Sequence, residues 1–270
     1  MAIELAQHLK TEILSADSRQ LYAELNIGVA RPEPEELAMV RHHFIGNISI
    51  TEEYTAGRYG REAREFADAW FKEHENLVLC GGTGLYIRAF LEGIDRSPAD
   101  EAIRTKLESR LKTEGLAALA AELLARNPAL ASATDLQNPR RVLRALEWQI
   151  SGGSVQHATS LPPDWKVVKL APQMERELLY ERINQRVDKM LATGLWQEAE
   201  LLFPQRHLNA LQTVGYREIF DCLEGKCSRE EAIEKIKQHT RNYAKRQLTW
   251  FRKDTSIQWI KRLDLAALPG

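Results

Sequence analysis

Leu77-Val78-Leu79-Cys80-Gly81-Gly82-Thr83-Gly84-Leu85-Tyr86-Ile87-Arg88-Ala89-Phe90 is the most informative run in the chain. The first four residues read as a short buried strand, the glycine-rich tetrad as a tight turn, and the apolar residues after it as the opening of a helix. Strand, turn and helix in that order form one arm of an α/β crossover. Open parallel sheets bind ligands in the crevice beyond the carboxyl ends of their strands, where Thr83 falls. A plainer reading has Gly81, Gly82 and Gly84 serve turn geometry and Thr83 cap the helix. The first segment repeats the pattern. Ile3, Leu5, Ala6 and Leu9 lie on a helical stripe, Glu12-Ile13-Leu14-Ser15-Ala16 reads as a strand, and Asp17-Ser18-Arg19-Gln20 is its polar exit. Asp17 and Thr83 both fall at strand ends and could face one ligand.

Composition narrows the class. With 270 residues, 44% hydrophobic and 28% charged, the chain can bury one sizeable core or two modest ones, which excludes a peptide module or a disordered chain. Lys and Arg number 37 against 38 acidic residues, so a net charge of −1 excludes coating a nucleic acid by bulk charge; a polyanion has to be met by local basic patches. Cys80, Cys222 and Cys227 are odd in number and lack C-x-x-C spacing, so neither a disulfide framework nor a zinc site is expected. No apolar run reaches the roughly 20 residues that span a bilayer, and charges interrupt the first ten residues. The reading is a cytoplasmic protein with no membrane partner. His42-His43 suggests no metal, because neighbouring histidines diverge and no carboxylate sits beside them at ligand spacing.

Three segments follow: an α/β core over 1–99, a helical insertion over 100–160, and a return to the core over 161–270 that ends in a basic helix. Asn26 to Pro34 reads as loop rather than core. In the insertion, Ala102–Lys112 and Glu114–Arg126 have helical spacing, punctuated at Gly115 and Asn127-Pro128. Ser151-Gly152-Gly153-Ser154 and Leu161-Pro162-Pro163 mark a flexible exit, and Trp165 to Leu170 reads as a further strand. Between Met174 and Leu202 a helix buries Leu179, Ile183, Val187 and Met190, with a break at Gly194.

Cations cluster at three places. Asn138-Pro139 opens a helix carrying Arg140, Arg141 and Arg144 in its first turns, where the helix dipole disfavours cations unless an anion offsets them; pairing of Arg144 with Glu147 and simple solvation is the alternative. Arg182 and Arg186 stand one turn apart, a spacing suited to phosphate, although neighbouring acids make a salt-bridged face the plainer reading. The helix from Glu230 to about Lys253 has no acid after Glu234; Lys237, Arg241, Lys245 and Arg252 form a cationic stripe, and Ile233, Ile236, Tyr243 and Trp250 an opposite, packing side.

Taken together, Ser15-Ala16-Asp17-Ser18-Arg19-Gln20-Leu21-Tyr22, Gly81-Gly82-Thr83-Gly84-Leu85-Tyr86, Arg141 to Glu147, Glu181 to Met190, Gln212-Thr213-Val214-Gly215-Tyr216-Arg217-Glu218 and Thr240 to Trp250 resemble, in order, the tRNA dimethylallyltransferase family. The resemblance implies a P-loop NTPase-like parallel-sheet core with an inserted helical domain, dimethylallyl diphosphate as donor, Mg²⁺ as cofactor, and the anticodon stem-loop of tRNA as acceptor, with a monomer expected. It implies catalytic roles for Asp17, as the base for the adenine N6 amine, and for Thr83. Ser18, Arg19 and Gln20 would line the acceptor base, and Thr83 and Arg104 would contact tRNA near the reaction centre. Arg140, Arg141, Val142, Leu143 and Arg144 would hold tRNA, as would Gln212, Thr213, Val214, Gly215, Tyr216 and Arg217. Arg182 would touch the diphosphate, and no residue is assigned to a metal.

One element of that pattern is missing. The family begins with a strand and a G-x-x-x-x-G-K-[ST] phosphate loop, whereas Met1 falls where the following helix should already be running, and Gly225-Lys226 is followed by Cys227. The expectation is therefore a truncated chain, or a start assigned to an internal methionine, with activity belonging to a longer parent. A tRNA-binding remnant without catalysis is a competing reading, and a transferase acting on a free adenine nucleotide is a third.

Overall fold

The computed structural model describes residues 1–94, 101–152 and 160–267. They fall into two compact units, one made of 1–92 with 161–270 and the other of 93–160. In chain order the elements are α1 (Ala2–His8), β1 (Ile13–Ser15), α2 (Pro34–Met39), β2 (His42–His43), α3 (Ala56–Trp70), β3 (Val78–Cys80) and α4 (Gly84–Leu91). The helical unit follows with α5 (Glu101–Arg126), α6 (Pro128–Ser132) and α7 (Pro139–Ile150). The chain then returns through β4 (Leu170–Pro172), α8 (Arg176–Ala192), α9 (Leu195–Leu202), α10 (Tyr216–Leu223), α11 (Arg229–Phe251) and β5 (Gln258–Ile260).

The larger unit is built on a parallel sheet of order β2-β1-β3. Ile13 and Leu14 are almost wholly buried, as a central parallel strand covered on both faces requires. The α3 and α4 helices approach so closely that a Cβ on Gly60 would lie 2.6 Å from the carbonyl oxygen of Ala89. Fully buried Tyr59 stacks on Tyr86 with ring centroids 4.3 Å apart and donates its hydroxyl to the Ser15 carbonyl at 3.0 Å. That bond satisfies a polar atom at the end of the central strand.

The structure corrects three expectations for this unit. The strand expected over Trp165–Leu170 forms only from Leu170, where the backbone pairs in parallel with Gln258–Ile260; Val167 and Val168 have no facing layer and stay about half exposed. His42-His43 is a strand, and the His43 ring meets Glu12, thirty-one residues away, at 2.5 Å. The loop before Pro34 is not wholly outside the core, since Val29 is 8% exposed and packs into it.

A fourth correction concerns α11. Its supposed free cationic stripe lies against α8: Lys237 pairs with Asp188 at 2.7 Å, Arg241 donates to Asn184 at 2.7 Å, and Lys245 stands 5.7 Å from the ring of Tyr180. Tyr180, Asn184 and Asp188 recur every four residues and therefore share one face of α8. The stripe is in large part an interhelical seam. On the opposite side only the first half packs into the core, through Ala232 and Ile236, while Tyr243 and Trp250 remain 41% and 42% exposed.

In the helical unit, Leu107, Leu119, Leu123, Val142 and Leu146 form a separate core. Gly115, at φ +82°, divides α5 into the two helices expected from the sequence. Arg110 spans that break, bonding Glu114 and Glu122 at 2.7 Å each, and Glu122 also holds Arg126. Asn138 caps α7 by accepting from the Arg141 N–H, with Pro139 in the first turn. The Gly153-Ser154 part of the expected flexible exit lies outside the described residues.

Glu198 on α9 holds the loop that follows the β1 exit. Its carboxylate accepts from the backbone N–H groups of Asn26, Ile27 and Gly28 at 3.0–3.2 Å, and from the Tyr216 hydroxyl at 2.5 Å. Replacing Glu198 with Ala leaves those donors without their acceptor. We expect urea unfolding to show a loss of about 2 kcal/mol, with Glu198→Gln recovering part of it.

Candidate active site

The β1 and β3 backbones stay paired beyond their strand ends. Ala16 N–H donates to the Cys80 carbonyl at 2.8 Å, and Thr83 N–H donates to the Ala16 carbonyl at 3.1 Å. A Cβ on Gly81 would lie 2.3 Å from that same Ala16 oxygen, so only glycine permits the approach. The two exits are thereby fused into one rim. Across it, the Ser18 N–H donates to the Thr83 hydroxyl at 3.0 Å, and the Ser18 and Thr83 hydroxyls are 3.3 Å apart. Thr83 begins α4, yet its side chain makes no bond to that helix. The hydroxyl faces the Asp17 loop, contrary to a plain capping role.

Asp17 leads this loop. Its Oδ1 accepts from the Arg19 and Gln20 N–H groups at 2.8 and 3.4 Å, which fixes the carboxylate by a turn of its own chain. Burial raises its pKa above the ordinary carboxylate value; the two backbone bonds and the nearby Arg19 charge oppose that rise without cancelling it. A carboxylate held rigidly at a rim, with a strengthened appetite for a proton, suits a general base.

The neighbouring residues mainly build the rim. Arg19 donates to the carbonyls of Asn209 and Ala210 at 3.0 and 3.2 Å, tying the loop to the segment just before Gln212. Gln20 donates to the Ala30 carbonyl at 3.1 Å and accepts from Ser15 at 3.2 Å. In the Gln212–Arg217 segment, Gln212 and Arg217 are exposed, while Thr213 and Val214 are half-buried. Gly215 adopts φ +103° and donates its N–H to Glu218 at 2.7 Å; Glu218, 2% exposed, also meets His239 at 2.6 Å. Tyr216 is fully buried with its hydroxyl on Glu198, so its side chain supports the segment from beneath rather than reaching a ligand.

The sequence reading left the α11 wall of this rim unassigned. Gln247 donates to the Gly82 carbonyl at 2.9 Å. A Cβ on Gly82 or Gly84 would come within 2.1 Å of Gln247 Nε2 or 2.2 Å of Trp250 Nε1. Tyr243, Gln247 and Trp250 stand at i, i+4 and i+7 on one helical stripe, of which the sequence reading took only Tyr243 and Trp250, and those as packing. Arg182 is exposed on α8, with its guanidinium near the Met174 sulfur. Gly225-Lys226 is the turn closing α10, with Lys226 paired to Asp221 and Glu224, and it forms no phosphate loop.

In the helical unit, Arg104 is exposed and 3.4 Å from Glu108. Arg140, Arg141 and Arg144 are exposed at the start of α7, with Arg141 3.4 Å from Asp135. Val142 is completely buried in that unit's core and Leu143 half-buried, so Val142 shapes the helix that carries the arginines.

Among the described residues no three His, Cys, Asp or Glu side chains gather as a metal cluster. The rim does offer hard oxygen donors, the Ser18 and Thr83 hydroxyls beside Asp17. That set fits Mg²⁺, which retains waters and is commonly carried on substrate phosphates with few protein ligands.

The IPP transferase family model matches residues 20–254. The tRNA dimethylallyltransferase of Christiangramia forsetii is 43% identical over 97% of this chain and 88% of its own length. Among solved structures, the tRNA isopentenylpyrophosphate transferase of Bacillus halodurans superposes with a TM-score of 0.70 at 36% identity, covering 96% of this chain and 84% of its own. A eukaryotic dimethylallyltransferase crystallised acting on tRNA gives 0.74 at 25% identity over 93% of this chain and 65% of its own. A parallel α/β core whose Asp17 and Gly-Gly-Thr-Gly exits meet at one rim, in a sequence matched along nearly all its length, makes this chain a member of the IPP transferase family of tRNA-prenylating enzymes.

Proposed function

We propose that the protein transfers a dimethylallyl group from dimethylallyl diphosphate to N6 of adenosine 37, beside the anticodon of tRNA. The observation that carries this reading is Asp17, a partly buried carboxylate fixed by the Arg19 and Gln20 N–H groups within a rim shared with Thr83. An exocyclic amine is a weak nucleophile. As the N6–carbon bond forms, the allylic carbon–oxygen bond breaks and its electron pair leaves with the diphosphate, while the amine proton passes to Asp17. Arg182 is assigned to the diphosphate. Mg²⁺, when bound, would supply charge neutralisation for that leaving group, and the Ser18 and Thr83 hydroxyls are the rim oxygens that would help to hold it. The adenine has to leave its stack to reach the rim, which costs less in a single-stranded loop than in a duplex.

Exposed Gln212 and Arg217, together with Arg104, Arg140, Arg141 and Arg144 of the helical unit, are assigned to the tRNA backbone. Several separate basic sites suit a folded RNA better than a mononucleotide, which needs fewer phosphate contacts. No described helix is long and apolar enough to cross a membrane.

Four outcomes test this reading. Asp17→Asn keeps the acceptor that closes its turn but removes the base. Turnover should fall by about 10²–10⁴-fold while affinity for an anticodon stem-loop changes little, and near-normal turnover rejects Asp17 as the base. The acid limb of kcat/KM should lie above the ordinary Asp value of 3.8, because Asp17 must be ionised and burial raises its pKa. A raised carboxyl pKa also means that ionisation opposes folding as pH rises through it, so Asp17→Asn should hold or raise the melting temperature at neutral pH. Finally, the stem-loop should be prenylated and AMP should not; modification of AMP alone favours a nucleotide-directed transferase.

A further inference from the structure

We propose that Gln247 of α11 is a positioning residue that fixes the peptide plane between Gly82 and Thr83 and so holds the Thr83 hydroxyl in the rim. This rests on the reading of Thr83 as part of the reaction rim and extends it to a helix to which neither assigned catalytic residue belongs.

A peptide unit is planar and turns as one body. Between Gly82 and Thr83 that body is held at both edges: its N–H donates to the Ala16 carbonyl at 3.1 Å, and its carbonyl accepts from the Gln247 side-chain amide at 2.9 Å. The bond to Ala16 alone would leave the plane free to swing about it; the bond from Gln247 removes that freedom. The turn leading into the plane is Gly81-Gly82, whose backbone lacks Cβ atoms and resists such a swing least. The consequence reaches the side chain, because the Thr83 Cα lies in this plane and the direction of its hydroxyl follows from it. That hydroxyl accepts from the Ser18 N–H at 3.0 Å, a contact across sixty-five residues of chain that a modest tilt would break.

Gln247 is seated for this contact. It is half-buried, and a Cβ on Gly82 would lie 2.1 Å from its Nε2, so the amide fills the space that a larger residue at position 82 would need. One turn further along α11, Trp250 takes the corresponding space at Gly84, and Arg88 of α4 stands 5.8 Å from the Trp250 ring. The helix therefore meets the turn at two points, and a side chain anchored on a helix docked in this way resists following a moving turn. The glycines that read as turn formers are also the seat of α11.

Amide exchange and a double-mutant cycle together separate this role from a direct contact with RNA. Gln247→Met keeps the length of the side chain and removes the donor. In the free protein we expect hydrogen exchange at the Thr83 amide to speed about fivefold or more, while amides in the middle of α11 keep their rates. The same variant should lower kcat about tenfold, the scale of one lost hydrogen bond, with KM for the anticodon stem-loop changed less than about twofold. In a Thr83→Ala background it should lower kcat less than about twofold, because the hydroxyl it places is gone. Gln247→Glu, similar in shape and without a donor at neutral pH, takes its place should Gln247→Met fold poorly, and melting temperatures of all variants report on folding. An unchanged exchange rate at Thr83 overturns the proposal, as does a loss confined to KM or no loss at all. A Thr83→Ala protein with undiminished turnover overturns the parent role of Thr83 and the positioning role with it, whereas equal losses in both backgrounds overturn the positioning role alone.

Discussion

The backbone contact between Ala16 and Thr83 is the constraint on which the site depends. Parallel strands usually part once their ladder ends, and each exit then wanders with its own loop. Here the ladder runs on, from Ala16 to Cys80 and from Thr83 back to Ala16, and a glycine at position 81 removes the one atom that would prevent it. Two loops sixty-five residues apart in sequence become one surface. The Ser18 bond to Thr83 follows from that closure, and so does the shared environment of Asp17 and Thr83.

Around this closure the chain holds its loops with carboxylate acceptors. Glu198 gathers three N–H groups and a tyrosine hydroxyl, and Glu218 gathers the Gly215 N–H and His239. Glu198 ties a loop to a helix distant in sequence, Glu218 caps the start of its own helix and joins it to α11, and Arg19 ties the Asp17 loop to carbonyls of the segment that leads into Gln212. Such bonds hold irregular backbone as firmly as a ladder holds a strand, which a rim needs if its groups are to stay within reach of a reacting atom. The network also explains why Gln20 and Tyr216, although they lie in segments that resemble binding motifs, point inward.

Much of this was legible from residue order. The strands at Ile13–Ser15 and Val78–Cys80, the glycine turn, the Asn138 cap and the helix breaks at Gly115 and Gly194 all follow from local rules of apolar spacing and turn chemistry. What escaped depends on partners far away in the chain. Trp165 to Lys169 has strand-like composition but no neighbour to pair with, and His42-His43, too short and polar to read as a strand, becomes one because β1 lies beside it. The α11 helix shows the limit most clearly: its periodicity gives the two faces correctly, but not that the charged one meets α8 or that the aromatic one meets the glycine turn.

The α8–α11 seam has a consequence for how the protein responds to its ionic surroundings. Lys237 and Arg241 are already engaged by Asp188 and Asn184, and Lys245 rests over an aromatic ring. Cations held by the protein itself displace few counterions when a polyanion arrives, so they add little to the steepness with which salt weakens an RNA complex. That steepness is set instead by the side chains left in water, and counting the basic residues of α11 overstates it.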